Sequence, residues 1–144
     1  MSAITPPKIR DGYKHFTTQS IRYGDLDRHN HVNNTSICSY IEDSRVRLRE
    51  SLFPDDAQDP ELGWMVVSLQ VEFHAQLRYP GEVDVGTATK HVGKSSYTLV
   101  HGVFNGPSCV ATATTVTVVA NRKTGKACQI PSSARAVLES LKID

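Results

Sequence analysis

Between residues 34 and 78 the hydrophobic pattern changes from a helical period to a period of two, and no other feature constrains the fold as much. From Asn34 to Leu52, Ile37, Ile41, Ser44, Leu48 and Leu52 recur at spacings of four and three, with Tyr40 beside them. Glu42, Asp43, Arg45, Arg47, Arg49 and Glu50 occupy most of the remaining positions. This spacing predicts an amphipathic helix with one buried stripe. Asn33 or Asn34 is placed to cap it, because a short amide oxygen can accept the free backbone N–H groups at a helix start. In VSLQVEFHAQLR, residues 67–78, Val67, Leu69, Val71, Phe73, Ala75 and Leu77 alternate with Ser68, Gln70, Glu72, His74, Gln76 and Arg78. That alternation predicts a strand with one wet face. The loop FPDDAQDPELG, residues 53–63, separates the two.

The remaining chain reads as strands joined by tight turns. One early strand is expected over residues 13–23, ahead of the helix. After YPGE at 79–82 come VDVGTATKHV, the turn GKS, then SYTLVHGVF, the turn NGP and the β-branched run CVATATTVTVVA. NRKTGK closes a last hairpin onto ACQI, and PSSARAVLESLK reads as a short helix capped by Ser132 or Ser133. Its inner face carries Ala134, Val137, Leu138 and Leu141. Tight turns make neighbouring strands antiparallel, so the expected class is α+β, with one long helix covered by a curved antiparallel sheet.

The 144 residues fit one domain, residues 1–144, large enough to enclose one core. A formal charge of +1 gives no support to nucleic-acid binding through a strong positive field. The N-terminus MSAITPPKIRDG has no apolar leader pattern, and no apolar run is long enough for a membrane span. Cys38, Cys109 and Cys128 are odd in number and lack CxxC spacing, which argues against a disulfide framework and suits the cytoplasm.

Several motifs fail on context. HVGKSS, residues 91–96, shares the GKS of a phosphate-binding loop, but Ala88 stands where that pattern needs glycine, and the stretch joins two strands. It reads as a hairpin turn with Lys94 in solvent, where Lys94 could still meet a phosphate by charge. His29 and His31 lack the further ligands a zinc site needs, so no metal is expected. His15, His74, His91 and His101 are scattered and read as surface or sheet-face residues. No GxSxG elbow occurs, and Cys38 lies near the buried side of the helix as a small hydrophobe.

RYGDLDRHNHVNN, residues 22–34, stands at the helix entrance. The first N–H groups of a helix have no internal partners and carry the positive end of its dipole. A carboxylate beside them suits acyl transfer, supplying a nucleophile or base while the N–H groups hold a developing oxyanion. On spacing alone Asp25 or Asp27 equally well caps a turn.

This stretch and the following TSICSYIEDSRVRLRE resemble the hotdog-fold acyl-CoA thioesterases of the 4-hydroxybenzoyl-CoA thioesterase-like family. Those proteins carry an aromatic residue, a D-x-D pair, a spacer, then GHVNN or a relative, leading into the central helix. VEFHAQLRYPGEVDV and KHVGKSSYTL extend the likeness, which covers residues from about 14 to 120. The resemblance implies a hotdog, a curved sheet wrapped round one helix, working as a homodimer or a dimer of dimers with the active site between subunits. It places the catalytic carboxylate, nucleophile or general base, on Asp27 and the oxyanion-holding backbone N–H at Asn34. His31 and Asn33 are expected to shape that turn or touch the acyl-thioester.

The chain departs from the family pattern at two places. Asn30 replaces the usual glycine before HVNN, a substitution that a left-handed turn tolerates. Arg28 and His29 fill the spacer, where a cationic pair can depress the carboxylate pKa or contact the acyl group. Lys90, Lys94 and Arg122 are the candidate contacts for coenzyme A phosphates. The expected substrate is an acyl-CoA or acyl-carrier-protein thioester, with no cofactor beyond the coenzyme A of the substrate. Two other readings are kept: a hydratase or dehydratase acting on a thioester with His31 as base, and a non-catalytic acyl-thioester-binding hotdog protein.

Overall fold

In the computed structural model, which describes residues 5–143, the helical period becomes α1, Asn34–Leu52. Of the two candidate caps, Asn33 does the capping: its side-chain oxygen accepts the Thr35 N–H at 3.0 Å. Ile37, Tyr40, Ile41, Ser44 and Leu48 are buried along one face, together with Arg45, which the sequence pattern assigns to solvent. Leu52, at the end of the stripe, stays exposed. Inside the 53–63 loop, Pro54–Ala57 forms a short helix, α2.

Five strands follow the predicted antiparallel scheme: β1 (His15–Ser20), β2 (Leu62–Phe73), β3 (Glu82–Val92), β4 (Ser96–Asn105) and β5 (Ser108–Asn121). Their order is β1-β3-β4-β5-β2, so β1 and β2 are the two edges of one curved sheet. The early strand is shorter than expected, because Tyr23–Asp25 turns into a 3-10 segment at its far end. NRKTGK turns the chain as expected, but only the single bridge Ala120–Ala127 follows it rather than a strand. The C-terminal helix α3, Ser132–Ser140, is preceded by Pro131, and no serine caps it. Ser133 donates instead to Asp56 of α2 at 2.6 Å. No helix among the described residues is long and apolar enough to cross a membrane.

Helix α1 lies along the inner face of the sheet and fills it in two apolar halves. Ile37, Tyr40 and Ile41 pack with Val83, Val85, Val103, Ala111 and Ala113. Leu48 packs with Tyr97, Leu99, Val119, Ile130 and the α3 residues Ala134 and Leu138. A polar row is buried at the same depth. His101, expected on the surface, is fully enclosed, with its ring nitrogens 3.1 Å from the Thr87 hydroxyl and 3.0 Å from that of Thr115. A ring held from both sides by hydroxyls satisfies its polar atoms without water, so it can occupy a core position.

The outer face is covered in part by the N-terminal segment. Tyr13 packs on Phe104, Val100 and Ala88, and its hydroxyl donates to the Pro7 carbonyl at 2.6 Å. A Cβ added at Gly86 or Gly102 would come within 2.7 Å of the Tyr13 ring, so both glycines make room for it.

β2 departs from the expected one-sided burial. Val66, Leu69, Val71 and Phe73 pair with Thr117, Thr115, Ala113 and Ala111 and therefore share the α1 side of the sheet. Leu69 is nevertheless 44% exposed and Phe73 42%. The reason is position: α1 packs chiefly over β1, β3 and β4, so on edge strand β2 only Leu62, Trp64 and Val71 reach the core and Met65–Gln70 stays exposed. The strand also ends at Phe73, and the rest of the alternating pattern runs on as a connection in which Leu77 is buried.

Candidate active site

The turn from Leu26 to Val32 is closed by a bridge between those two residues. Within it, Asp27 N–H donates to the His31 carbonyl at 2.8 Å and Asn30 N–H to the Asp27 carbonyl at 3.1 Å. Asn30 has φ 62°, the left-handed conformation that asparagine tolerates. The turn is tied to its surroundings by Val32 N–H to the Leu77 carbonyl and Asn33 N–H to the Asp25 carbonyl, both 2.8 Å.

The two carboxylates of the D-x-D pair have different surroundings. Asp25 is 3% exposed and fully engaged. It accepts the Tyr40 hydroxyl at 2.6 Å, the Arg22 N–H at 2.9 Å and the Arg22 guanidinium at 3.0 Å. Burial pushes its pKa up, but the Tyr40 and Arg22 bonds outweigh burial and hold it below the ordinary value. Asp27 binds through one oxygen: Oδ1 accepts the N–H groups of His29 at 2.8 Å and His31 at 3.2 Å. Among the described residues Oδ2 has no hydrogen bond. The His29 N–H is the main cause of a lowered Asp27 pKa; desolvation opposes it, and the His31 N–H and both histidine charges add to the lowering.

At the helix start, Thr35 N–H is taken by the Asn33 side chain, and Ser36 and Ile37 N–H by the Asn33 carbonyl. Among the described residues this leaves the Asn34 N–H without an acceptor, at the positive end of the α1 dipole. Asp27, His31 and Asn34 all line one cleft of about 350 Å³, with Val32, Ile37 and Leu77 as its apolar part. A residue with an unbonded carboxylate oxygen and a residue with a helix-start N–H lacking an acceptor thus line one hollow, the combination that acyl transfer asks for.

Phe73, His74, Ala75 and Gln76 complete the lining of the cleft. His74 is fixed by its Nε2 contact of 2.8 Å with the Thr112 hydroxyl. By sequence it reads as one of the scattered histidines. Nothing local marks it, because only the β2–β5 pairing and the Val32–Leu77 bond carry the end of β2 to the helix start.

The other candidates do not line this cleft. Arg28 and His29 are exposed, and the Asn33 oxygen is occupied by the Thr35 N–H and hydroxyl. Lys90 borders a separate hollow of about 240 Å³ with Lys8, Gln70, Glu72, Thr112 and Thr114. Lys94 stands exposed in the β3–β4 turn. Arg122, beyond β5, donates its Nε to the Leu62 carbonyl at 2.9 Å. No cluster of three or more histidine, cysteine or acidic side chains suited to a metal occurs among the described residues.

Residues 21–138 match the family model described as the thioesterase-like superfamily. Among solved structures, the chain is similar to the PA5185 protein of Pseudomonas aeruginosa strain PAO1 at 25% identity and TM-score 0.89, covering 95% of this chain and 97% of that one. A thioesterase of Thermus thermophilus, complexed with coenzyme A and Zn, is 26% identical with TM-score 0.78, covering 92% and 96%. The gentisyl-coenzyme A thioesterase BH1999, at 22% identity and TM-score 0.78 over 86% and 99%, shares the fold. No curated protein sequence matches.

Proposed function

The chain belongs to the thioesterase-like superfamily, and from that premise we propose that it hydrolyses an acyl-CoA thioester to a carboxylic acid and free thiol. One observation carries the reading. Asp27 has one oxygen pinned by two backbone N–H groups and the other unbonded, on the cleft that also holds the helix-start residue Asn34. In the proposed reaction the free oxygen attacks the thioester carbonyl or takes a proton from an attacking water. The negative charge that develops on the carbonyl oxygen is met by the Asn34 N–H, and the thiolate leaves. With Asp27 as base, the proton it took from water passes to the thiolate; with Asp27 as nucleophile, water then hydrolyses the acyl–Asp27 anhydride, releasing the acid, restoring the carboxylate and supplying the thiol proton. His31 holds the Asp27 loop through its backbone rather than acting as the base. Coenzyme A is the preferred carrier because the Thermus thioesterase is complexed with it; the same chemistry accommodates an acyl-carrier protein.

A second copy of the chain is part of the proposal. β2 pairs on one side only, with β5, and its open edge adjoins the uncovered row of Val66, Leu69 and Phe73. A twelve-residue edge with an apolar face beside it is a surface that chains cover by pairing. Phe73 belongs both to this row and to the cleft wall, so the partner would complete the pocket. Three free cysteines fit a reducing, cytoplasmic setting.

The test is Asp27→Asn assayed on a panel of short, long and aromatic acyl-CoA esters. Loss of kcat by about 10²–10⁴-fold, typical for removal of a positioned acid–base group, is the expected result. Unchanged hydrolysis would remove Asp27 from the chemistry. Tight CoA-ester binding without thiol release by the native protein would favour a binding module.

A further inference from the structure

Resting on the CoA-thioester reading above, we propose that Tyr23 and Tyr79, with Arg22 and Arg78, form the platform that receives the nucleotide end of the substrate. Tyr23 is 77% exposed and Tyr79 44%, and neither hydroxyl has a hydrogen-bond partner among the described residues. The two rings touch edge to face, with centroids 5.8 Å apart and planes at 79°. Neither ring belongs to any of the apolar clusters that hold the fold together. Two aromatic rings in water contribute little to stability, yet the segments that carry them are tied together. Tyr23 sits in the 3-10 turn Tyr23–Asp25, and the Ile21 N–H to Gly81 carbonyl bond of 2.9 Å fixes the two segments side by side.

An edge-to-face pair leaves a ring face free, and a purine base stacks on such a face whatever its hydrogen-bonding edge. The residues next to the two tyrosines in sequence, Arg22 and Arg78, carry the charge that phosphates require. The Arg22 side chain is 78% exposed although one nitrogen binds Asp25, so its other N–H groups remain in solvent. Arg78 is exposed and forms no ion pair among the described residues.

The platform also lies within reach of the chemistry. Tyr79 is two residues from Leu77 and Tyr23 four from Asp27, both of which line the cleft. Four residues span no more than about 14 Å. A pantetheine arm can therefore run from a carbonyl beside Asp27 to a base on the tyrosines. Lys90, Lys94 and Arg122 are not needed for this path.

The experiment compares the acyl-CoA ester with the S-acyl-pantetheine ester of the same acid, which lacks the nucleotide. For the Tyr23→Ala/Tyr79→Ala variant, KM for the CoA ester should rise about tenfold or more, the scale of a lost stacking contact, with kcat retained. Hydrolysis of the pantetheine ester should be unchanged. Arg78→Gln should raise KM for the CoA ester alone and flatten its salt dependence. Equal losses on both esters, no loss on either, or dissociation of an oligomer in sedimentation with a parallel loss would each overturn the platform. If the native protein hydrolyses neither ester, the thioesterase reading fails. Calorimetric binding of adenosine 3′,5′-bisphosphate, present in the native protein and lost in the variant, then decides the platform independently.

Discussion

The Tyr40 hydroxyl on α1 donates to the buried Asp25 carboxylate at 2.6 Å, so the second turn of the long helix holds the loop that carries Asp27. The same Asp25 binds Arg22 through two contacts, and its carbonyl accepts the Asn33 N–H at the helix start. Side chain and backbone of one residue thereby fix the loop against the helix that supplies the Asn34 N–H.

Breaking this contact should cost stability and alignment together. Tyr40→Phe leaves a buried carboxylate one donor short, at a cost of about 1–3 kcal/mol. Urea unfolding should show it as a lowered midpoint at unchanged m-value. Asp25→Asn should lower kcat as well, because the Asp27 turn is released.

The pH dependence of hydrolysis follows from Asp27. Its pKa lies below the ordinary 3.8, chiefly through the His29 N–H, so the carboxylate persists as pH falls. The acid limb of kcat/KM is expected below pH 3.8, provided the fold persists there; a limb near 6 to 7 would point to a histidine instead.

The pH dependence of stability is assigned largely to His101. Burial holds its pKa down at about 3, against 6.5 for a free imidazole, with the Arg45 charge adding to the effect. Below pH 6.5 the unfolded chain binds a proton that the folded chain refuses. Stability from this residue is complete above 6.5 and is lost progressively as pH falls towards 3. Asp25, also depressed, adds loss only as pH drops through the carboxylate range. Urea midpoints measured from pH 8 to pH 4 should decline in the native protein, and a His101→Gln variant that folds should decline less.

The outer face offers a packing test. Gly86→Ala places a methyl 2.7 Å from the Tyr13 ring, and overpacking of this kind costs about 1–3 kcal/mol. Introducing Tyr13→Ala as well removes the ring contact but leaves the residue-13 Cβ and the Phe16 ring each 2.9 Å away, so relief should be partial and the two changes non-additive in denaturant unfolding.

Asn30 tests the turn itself. At φ 62° glycine should be neutral or slightly better, whereas Asn30→Val should destabilise by about 1–2 kcal/mol and lower kcat. Equal kcat in both variants would show that the turn geometry is not used in the reaction.

The sequence by itself determined the elements whose signals are local. The stripe Ile37, Ile41, Ser44 and Leu48 specified α1, Asn33 or Asn34 its cap, the tight turns an antiparallel sheet, and Asn30 a residue that tolerates a left-handed turn. RYGDLDRHNHVNN was legible as a candidate site because its residues are neighbours along the chain. Only the tertiary structure decided the rest. It separated Asp25 from Asp27 by bringing Tyr40 and Arg22 to one carboxylate and leaving an oxygen of the other unbonded. It brought His74 to the cleft that Asp27 lines, and it buried His101 and Arg45, which composition would leave in water. It also left the middle of β2 exposed, although that strand carries the clearest alternation in the chain. Periodicity reports which face of an element is apolar; what covers that face depends on strand order and helix placement, which arise from contacts distant in sequence.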